Sequence, residues 1–318
     1  MSIKKLDVIG LGEVCIDWIL KVDHFPEVDE KVFIRESGKF PGGVTANFVV
    51  GFSRLGGKPG FIGGLGNDQY GQYLLDVFKN EKVDTTKIKI YDNKPTAINF
   101  IVVDSKGNKI IFQDPLLKEN VPDPKDIDTD IEKYIANAKA LHTTAIKLET
   151  AVKAAQIAKK YGLKVSFDLE KHVVDDYGLE NLKPMLALTD ILMPNKLGLR
   201  TLLGKRDLVE AAYEIIEYGP KLVIITLGEN GSMAITKNKA VRARAFKIKP
   251  IDTTGAGDSF NAAFIYFHVI KGLDLWESSV IANAAAALKC LKLGAQTGMP
   301  RLDELREFLS KHGYDFNI

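Results

Sequence analysis

The chain has 318 residues, of which 46% are hydrophobic, 26% charged and 9% aromatic, and its net charge is +2. This composition is typical of a globular protein and excludes a disordered, collagen-like or low-complexity chain. The sequence has no run of five like charges and no apolar run of membrane-spanning length. We therefore expect no nucleic-acid partner, no membrane partner and a cytoplasmic location. Cys15 and Cys290 are expected to be buried thiols rather than a disulfide or a metal site.

The N-terminal third predicts mostly strands. Leu6–Leu11 is a short apolar run, and three further strands are predicted at Lys31–Ser37, Thr96–Val103 and Lys109–Gln113. Asp104–Asn108 supplies the turn between the last two. A small sheet needs its apolar face covered, so these strands predict a lid or a subunit interface. We expect a single domain over 1–318 with this lid inserted at about 12–38 and 94–115, and a homodimer formed through the lid.

The rest of the chain alternates strands and helices. Further buried strands are predicted at Lys164–Asp168, Asp190–Met193 and Lys221–Thr226. Amphipathic helices are predicted at Glu149–Tyr161, ahead of a C-capping glycine, and at Asp207–Tyr218. This alternation predicts an α/β fold with a mainly parallel sheet that has helices on both faces.

Two glycine-rich segments near the N-terminus do not predict a nucleotide site. Gly10 and Gly12 follow the first strand as in a dinucleotide-binding fingerprint, but Cys15 stands where a third glycine is needed. In a P-loop-like segment that begins at Gly51, Gly57 stands where the lysine is required. A dehydrogenase and a P-loop enzyme are therefore disfavoured.

A third glycine-rich segment, Ile251–Phe260, is more informative. Its glycines precede a predicted helix at Asp258–Lys271, so free backbone N–H groups and the positive end of the helix dipole converge on one point. Asp258, in the first turn, faces whatever this anion hole holds. Phosphoryl transfer needs this combination of donors for the transferred group and a base for the acceptor hydroxyl.

Three motifs together resemble the ribokinase-like (pfkB-type) carbohydrate kinases. They are DTTGAGDSF at 252–260, PGGVTAN at 41–47 and GGLGNDQYG at 63–71, and the resemblance extends from about Ile9 to Pro300. It implies a ribokinase-like fold with a small β lid over the sugar. It also implies transfer of the γ-phosphoryl group of ATP to a sugar hydroxyl, or sometimes a nucleoside hydroxyl, with Mg²⁺ and often a potassium ion.

The resemblance assigns roles to individual residues. It implies that Asp258 is the catalytic base and that the anion hole is formed by Gly255, Ala256 and Gly257. The positions that match sugar-contacting residues are Asp17, Gly42, Gly43, Asn47 and Glu149. Those that match the nucleotide side are Asn195, Thr226, Gly228, Gly231 and Asn283. The loops that hold the monovalent cation match backbone carbonyls near Asp252, Thr254, Cys290 and Gly294.

Some of these positions have a second interpretation. Glu149 begins a predicted helix, where a glutamate also complements the helix dipole. Asn47 is also compatible with a helix-surface position. The alanine-rich run Ala282–Leu288 around Asn283 is equally typical of tight helix packing.

One position departs from the family pattern. Asn195 belongs to an N-x-x-E motif, but Gly198 replaces the glutamate that helps to place Mg²⁺ through water. Asp168 and Glu170, at the end of a neighbouring predicted strand, are the acids available to replace it. A Glu170→Gln variant with unchanged Mg²⁺ dependence would exclude this hypothesis.

The leading prediction is an ATP-dependent kinase of ribose, fructose or a related keto-sugar or keto-sugar acid. A nucleoside kinase of the same fold is the nearest alternative, and lid aromatics such as Phe100 and Phe112 would then stack on the base. A sugar-phosphate kinase is less expected, because Arg35 is the lone arginine among the lid strands. A catalytically impaired sugar-binding regulator is favoured by Gly198 and opposed by the intact Asp258.

Overall fold

Short apolar strands and amphipathic helices alternate in the computed structural model, which describes residues 4–204 and 207–318. The strands are β1 (Leu6–Leu11), β2 (Cys15–Lys21), β3 (Glu36–Gly42), β4 (Pro59–Gly66), β5 (Asp84–Tyr91), β6 (Ile98–Val103), β7 (Lys109–Phe112), β8 (Ala138–Thr143), β9 (Lys164–Leu169), β10 (Ile191–Pro194), β11 (Leu222–Thr226), β12 (Ser232–Thr236) and β13 (Lys239–Ala243). The helices are α1 (Val44–Arg54), α2 (Gln69–Asn80), α3 (Leu116–Glu119), α4 (Thr129–Ala136), α5 (Leu148–Lys160), α6 (Lys171–Leu188), α7 (Lys196–Leu203), α8 (Leu208–Ile216), α9 (Ala256–Phe264), α10 (Leu275–Lys289) and α11 (Leu302–Lys311). A π-helical segment, Ile265–Ile270, continues α9.

Nine strands form the main sheet in the order β13-β12-β11-β10-β9-β8-β1-β4-β5. All neighbours pair in parallel except at one edge, where β12 is antiparallel to both β11 and β13. Alternate residues of the strands feed two hydrophobic layers: Val223 and Ile225 of β11 lie in one, and Ile224 lies in the other. Helices cover both faces, so the predicted mainly parallel α/β sheet is confirmed.

The strand order reverses between β1 and β8. From β1 the sheet grows through β4 to β5 in one direction, and from β8 it grows through β9, β10 and β11 in the other. The connections that leave the carboxyl ends of β1 and β8 therefore diverge and leave a crevice between them. Open parallel sheets place their ligand sites at such a point.

Four strands form a second, smaller sheet in the order β3-β2-β6-β7. We call this sheet the lid. β2 pairs antiparallel with β3 and parallel with β6, and β6 pairs antiparallel with β7. The predicted turn at Asp104–Asn108 joins β6 to β7, and Gly107 in it has a φ of 83°, which favours glycine.

The predicted strand at Lys31–Ser37 is wrong. The strand that pairs with β2 is β3, which begins at Glu36 opposite Lys21 and ends at Gly42 opposite Cys15. Since β2 ends at Lys21, residues 31–35 lie outside the sheet and reach β2 through the Arg35 N–H, which donates to the carbonyl of Lys21 at 2.8 Å. The lid reaches residue 42 rather than 38.

Within the described part of the chain, no helix has the length and the apolar character that a membrane span requires.

Candidate active site

A buried carboxylate lies at the point where the strand order reverses. Glu13 follows β1, and Thr144, which follows β8, donates its hydroxyl to Glu13 Oε2 at 2.8 Å. Thr45 of α1 donates its backbone N–H and its hydroxyl to the same carboxylate, at 3.3 and 3.2 Å. Glu13 thus joins both sides of the crevice. Glu13 was not predicted from the sequence, although an acid shortly after a buried strand was the available signal.

Asp258 lies in the first turn of α9, and its side chain is buried. Asn47 of α1 donates its amide to Asp258 Oδ2 at 2.7 Å. Gln296 donates to Asn47 Oδ1 at 3.1 Å, which orients the Asn47 amide with its NH₂ group toward the carboxylate. The structure therefore places Asn47 against the predicted base, where it holds the Asp258 side chain in one orientation.

Burial raises the pKa of Asp258 to about 7. The hydrogen bond from Asn47 acts in the opposite direction, as does the charge of Lys289, while the charges of Glu13 and Asp17 add to the rise. A general base is most effective when its pKa lies near the working pH. The environment of Asp258 therefore suits proton transfer at neutral pH.

The residues predicted to form an anion hole lie at the start of α9. Gly255 caps the helix with a φ of 80°, and a Cβ atom there would lie 3.0 Å from Ala295. The N–H of Ala256 donates to the carbonyl of Thr253 at 3.2 Å. The backbone N–H groups of Gly257 and Asp258 have no hydrogen-bond acceptor among the described residues. Two free donors of the helix N-terminus thus point into the site, together with the helix dipole.

A cavity of about 850 Å³ adjoins these donors. Its lining includes the four predicted nucleotide-side residues Thr226, Gly228, Gly231 and Asn283. Ala256 and Gly257 line it as well, so the cavity runs up to the anion hole. The volume is in the range of small-molecule and cofactor pockets.

Asn195 lies beside this cavity without lining it. It pairs with Thr226 as an isolated parallel bridge, and its Oδ1 accepts the N–H of Gly198 at 2.7 Å, which caps α7. The structure gives Asn195 the role of a helix cap.

Three of the predicted sugar residues, Asp17, Gly42 and Gly43, meet between the lid and the main sheet. Asn99 of β6 donates to Asp17 Oδ1 of β2 at 3.2 Å, and burial raises the pKa of Asp17. A Cβ atom at Gly42 would lie 2.3 Å from Asp17 Oδ2, so glycine permits this close approach. Gly43 begins α1 with a φ of 97°, and a Cβ atom there would lie 2.7 Å from the carbonyl of Glu13. These glycines let the end of β3 pack closely against β2 and against the segment that follows β1.

A lysine of the lid also reaches the site. Lys109 of β7 donates to the hydroxyl of Thr254 at 3.3 Å, across the gap between the lid and the segment that precedes α9. Its positive charge acts to lower the pKa of Asp17 and of Glu170, against the effect of burial. From the sequence, Lys109 was predicted only as part of a strand.

Glu149 stands apart from these groups. It lies in the first turn of α5 with its side chain exposed, and no hydrogen bond joins that side chain to any of the described residues. Its contact with the acceptor stays a prediction.

The departure at Gly198 has a steric cause. A Cβ atom at Gly198 would lie 2.5 Å from the carbonyl oxygen of Leu169, because α7 packs directly on the end of β9. The position of the family's glutamate therefore has no room for a side chain in this arrangement.

Two carboxyl groups lie at the end of β9 instead. Asp168 accepts from the Asn261 amide at 2.8 Å, and burial together with neighbouring carboxylates raises its pKa. Burial and the charges of Asp258 and Glu13 raise the pKa of Glu170 to about 8. The described residues contain no group of three or more acidic, histidine or cysteine side chains arranged to hold a metal ion.

The residues predicted to surround a monovalent cation do come together. Asp252 accepts the N–H groups of Thr254 and Gly294, both at 2.9 Å. The carbonyl of Cys290 accepts the N–H groups of Ile251 and Asp252, at 2.8 and 3.2 Å.

A buried carboxylate beside free backbone donors, next to a cavity of nucleotide size, is the arrangement that phosphoryl transfer needs. The pfkB family of carbohydrate kinases matches this chain over residues 5–302. The chain belongs to that family, and the predicted class of enzyme, a carbohydrate kinase, is confirmed.

Curated relatives cover nearly the whole chain. It is 30% identical over 334 aligned positions to 5-dehydro-2-deoxygluconokinase of Clostridium perfringens. This alignment covers 98% of this chain and 95% of the relative. It is 31% identical to ATP-dependent ribose-1-phosphate kinase of Halopiger xanaduensis, over 96% of this chain and 98% of the relative.

Solved structures confirm the ribokinase-like fold. Ribokinase from Thermotoga maritima superposes with a TM-score of 0.81 at 29% identity, covering 96% of this chain and 99% of that one. The nucleoside kinase of Methanocaldococcus jannaschii superposes with a TM-score of 0.83 at 28% identity, covering 98% and 100%.

Proposed function

We propose that this protein transfers the γ-phosphoryl group of ATP to a hydroxyl of a keto-sugar or keto-sugar acid, with Asp258 as the general base. The observation that carries the proposal is the placement of Asp258. Its buried carboxylate lies in the helix turn whose free N–H groups border the cavity of about 850 Å³. A base and an anion hole at one end of a nucleotide-sized cavity are the two elements that in-line phosphoryl transfer requires.

In this mechanism the acceptor lies between the lid and Asp258. Asp17 and Asn99 bind neighbouring hydroxyls of the sugar, since a carboxylate accepts and an amide donates. Asp258 removes the proton of the reacting hydroxyl while that oxygen forms a bond to the γ-phosphorus. The bond from the γ-phosphorus to the β–γ bridging oxygen breaks, and ADP leaves. The N–H groups of Gly257 and Asp258 stabilise the negative charge on the transferred group.

The residues of this chain fit a magnesium ion held largely by the nucleotide. When bound, Mg²⁺ neutralises charge on the phosphate oxygens, and it usually keeps several water ligands rather than an all-protein cage. Glu170 and Asp168 are the side chains that would hold its waters, in place of the glutamate for which Gly198 leaves no room. A Glu170→Gln variant is expected to need more Mg²⁺ for half-maximal rate, and an unchanged requirement would exclude this role.

The acceptor class is supported by the lid. Lys109 is the lid cation that reaches the segment before α9, and it suits an acceptor with a carboxylate. The relative from Clostridium perfringens, whose name describes a keto-sugar acid kinase, is 30% identical. A nucleoside acceptor is less well supported, because Phe100 alternates with Asn99 along β6 and pairs with Phe112, which puts both rings on the lid face away from Asp17.

The same outward face supports the homodimer. Phe100, Ile110 and Phe112 are between 41% and 59% exposed on the lid. We propose that a second copy of the chain covers these side chains. We also propose that the chain is one kinase domain in which the lid is inserted. The protein is proposed to act in the cytoplasm, where ATP is available. Light scattering of a Phe112→Glu variant is expected to report a monomer. A wild-type protein that is already monomeric would contradict the dimer.

The test of the activity is a coupled assay of ADP release with ATP and Mg²⁺ across a panel of sugars, sugar acids, sugar phosphates and nucleosides. We expect turnover with a keto-sugar or its acid. The Asp258→Asn variant should lose about 10²-fold or more in kcat, as expected for removal of a general base. Turnover confined to nucleosides or sugar phosphates would overturn the acceptor class. Sugar binding without any turnover would support a regulator instead.

A further inference from the structure

A fully buried lysine lies beneath the anion hole. Lys289 is the last residue of α10, and 0% of its surface is exposed. Its ammonium donates to the backbone carbonyl of Asp252 at 2.8 Å and to that of Lys292 at 3.5 Å, and it lies 3.7 Å from Asp252 Oδ2. A buried charge is costly unless such partners compensate it. All three acceptor atoms belong to two loops, the anion-hole loop (251–257) and the loop after α10 (290–296).

The same two loops are joined through Asp252. Its carboxylate accepts one N–H from each loop, from Thr254 and from Gly294. Burial opposes ionisation of Asp252, but these hydrogen bonds and the charge of Lys289 outweigh it, so the pKa of Asp252 lies below its ordinary value. Gly255 then packs on Ala295 directly above this junction. The junction therefore fixes the loop that presents the free N–H groups and Asp258.

We infer that the Lys289 ammonium is a built-in cation that positions the anion-hole loop, in the place where the sequence predicts a potassium ion, and that catalysis does not depend on a monovalent cation. Proteins bind potassium through several converging carbonyl oxygens. Here the Lys289 ammonium already donates a hydrogen bond to the carbonyl of Asp252. A potassium ion on the same oxygen would lie close to a like charge, and the two would repel each other.

Lys289 is a positioning residue in this inference, since its contacts are with loop atoms. The inference rests on the proposed function for one readout, turnover. A second readout, thermal stability in different salts, needs no acceptor. The two readouts keep a failure of the proposed function distinct from a failure of the inference.

The first experiment compares the wild-type protein in potassium chloride and in tetramethylammonium chloride at equal ionic strength. Tetramethylammonium is too large for a site made of carbonyl oxygens. We expect kcat to change by less than about two-fold and Tm to stay the same. Activation by potassium of more than about ten-fold, the size expected for a mispositioned catalytic loop, would overturn the inference.

The second experiment uses three variants. Lys289→Ala removes the charge and leaves space, and Lys289→Met removes the charge and fills the space. Lys311→Met is the control, because this lysine is 68% exposed on α11. In tetramethylammonium, both Lys289 variants should lose about 10- to 100-fold in kcat. Potassium or ammonium should restore Lys289→Ala and raise its Tm, but leave Lys289→Met and the control unchanged.

Each result decides the inference. Full activity of Lys289→Ala without potassium would overturn it, because the charge would then be unnecessary. A folded Lys289→Ala that no cation restores would also overturn it and leave Lys289 a packing role only. If Lys289→Ala folds in neither salt, the wild-type comparison decides alone. If no acceptor is phosphorylated, the Tm comparison of Lys289→Ala in the two salts decides.

Discussion

At the scale of single residues, we expect the buried carboxylate of Asp258 to control how the rate depends on pH. Its pKa is raised to about 7, so the carboxylate is largely protonated below that pH and unable to accept the hydroxyl proton. We expect kcat/KM to fall about ten-fold for each pH unit below 7. A pH profile at saturating ATP and Mg²⁺ measures this. An acidic limb of the pH–rate profile near pH 4, close to the ordinary aspartate pKa of about 3.9, would contradict this expectation.

Asn47 either orients Asp258 or binds the acceptor, and a variant of this residue distinguishes the two roles. Its amide donates to Asp258 Oδ2, and this hydrogen bond lowers the pKa of Asp258. In an Asn47→Ala variant we expect the acidic limb of the pH profile to move to higher pH and kcat to fall about ten-fold as the base loses its orientation. Asn181→Ala, on an exposed part of α6, is the control. A raised KM with an unmoved limb would instead show that Asn47 binds the acceptor.

The sequence predicted those functional residues that lie in contiguous motifs. Asp258 and the glycines before it are consecutive, so one segment of chain carries their chemistry. Glu13 depends on Thr144, which lies 131 positions away, and Lys289 depends on Asp252, 37 positions away. The partnership of Lys289 leaves no local pattern, and for Glu13 the only local signal was its position shortly after a buried strand. A buried glutamate and a buried lysine therefore looked like any other charged residues until the fold brought their partners together.

At the scale of elements, the start of α7 is fixed by one close approach. A Cβ atom at Gly198 would lie 2.5 Å from the carbonyl of Leu169. Alanine favours a helix over glycine by about 1 kcal/mol, but overpacking against backbone costs about 1–3 kcal/mol. We therefore expect Gly198→Ala to lower the free energy of unfolding, measured by urea denaturation. Lys196→Ala, at an exposed position of the same turn, should not lower it. A stabilised Gly198→Ala variant would contradict the contact.

The strands show where local pattern succeeds and where it fails. β1, β9, β10 and β11 were predicted within about a residue, because a strand buried on both faces must be a continuous apolar run. The lid strand β3 was missed because its sequence, ESGKFPG, has two glycines and a proline. Its position follows from pairing with β2 and from the approach of Asp17 to Gly42, which are tertiary contacts. Proline is tolerated there because β3 lies at the edge of the lid.

At the scale of the whole molecule, the candidate site draws its residues from two sheets. The main sheet supplies Glu13, Thr144 and Glu170 just after the ends of its parallel strands, and α9 adds Asp258 and the free N–H groups. The lid contributes Asp17, Asn99 and Lys109 from three strands. In the proposed mechanism the acceptor site is therefore complete only when the lid lies over the crevice. The motifs at 41–47 and 252–260 could be predicted because each is contiguous, whereas Asn99 and Lys109 could not, because pairing between lid strands decides where they lie.

The positive charge of Lys109 should distinguish acidic acceptors from neutral ones. The ammonium lies 3.3 Å from the Thr254 hydroxyl at an exposed position, so its attraction to an acidic acceptor is partly screened by water. We expect Lys109→Met to raise KM for keto-sugar acids by about five- to ten-fold and KM for the neutral sugars much less. Lys106→Met, in the turn of the same hairpin, should change neither. Steady-state kinetics on matched pairs of neutral and acidic sugars measure the difference. An equal rise in KM for both would mean that Lys109 only holds the lid against Thr254, and the acceptor would then be a neutral sugar.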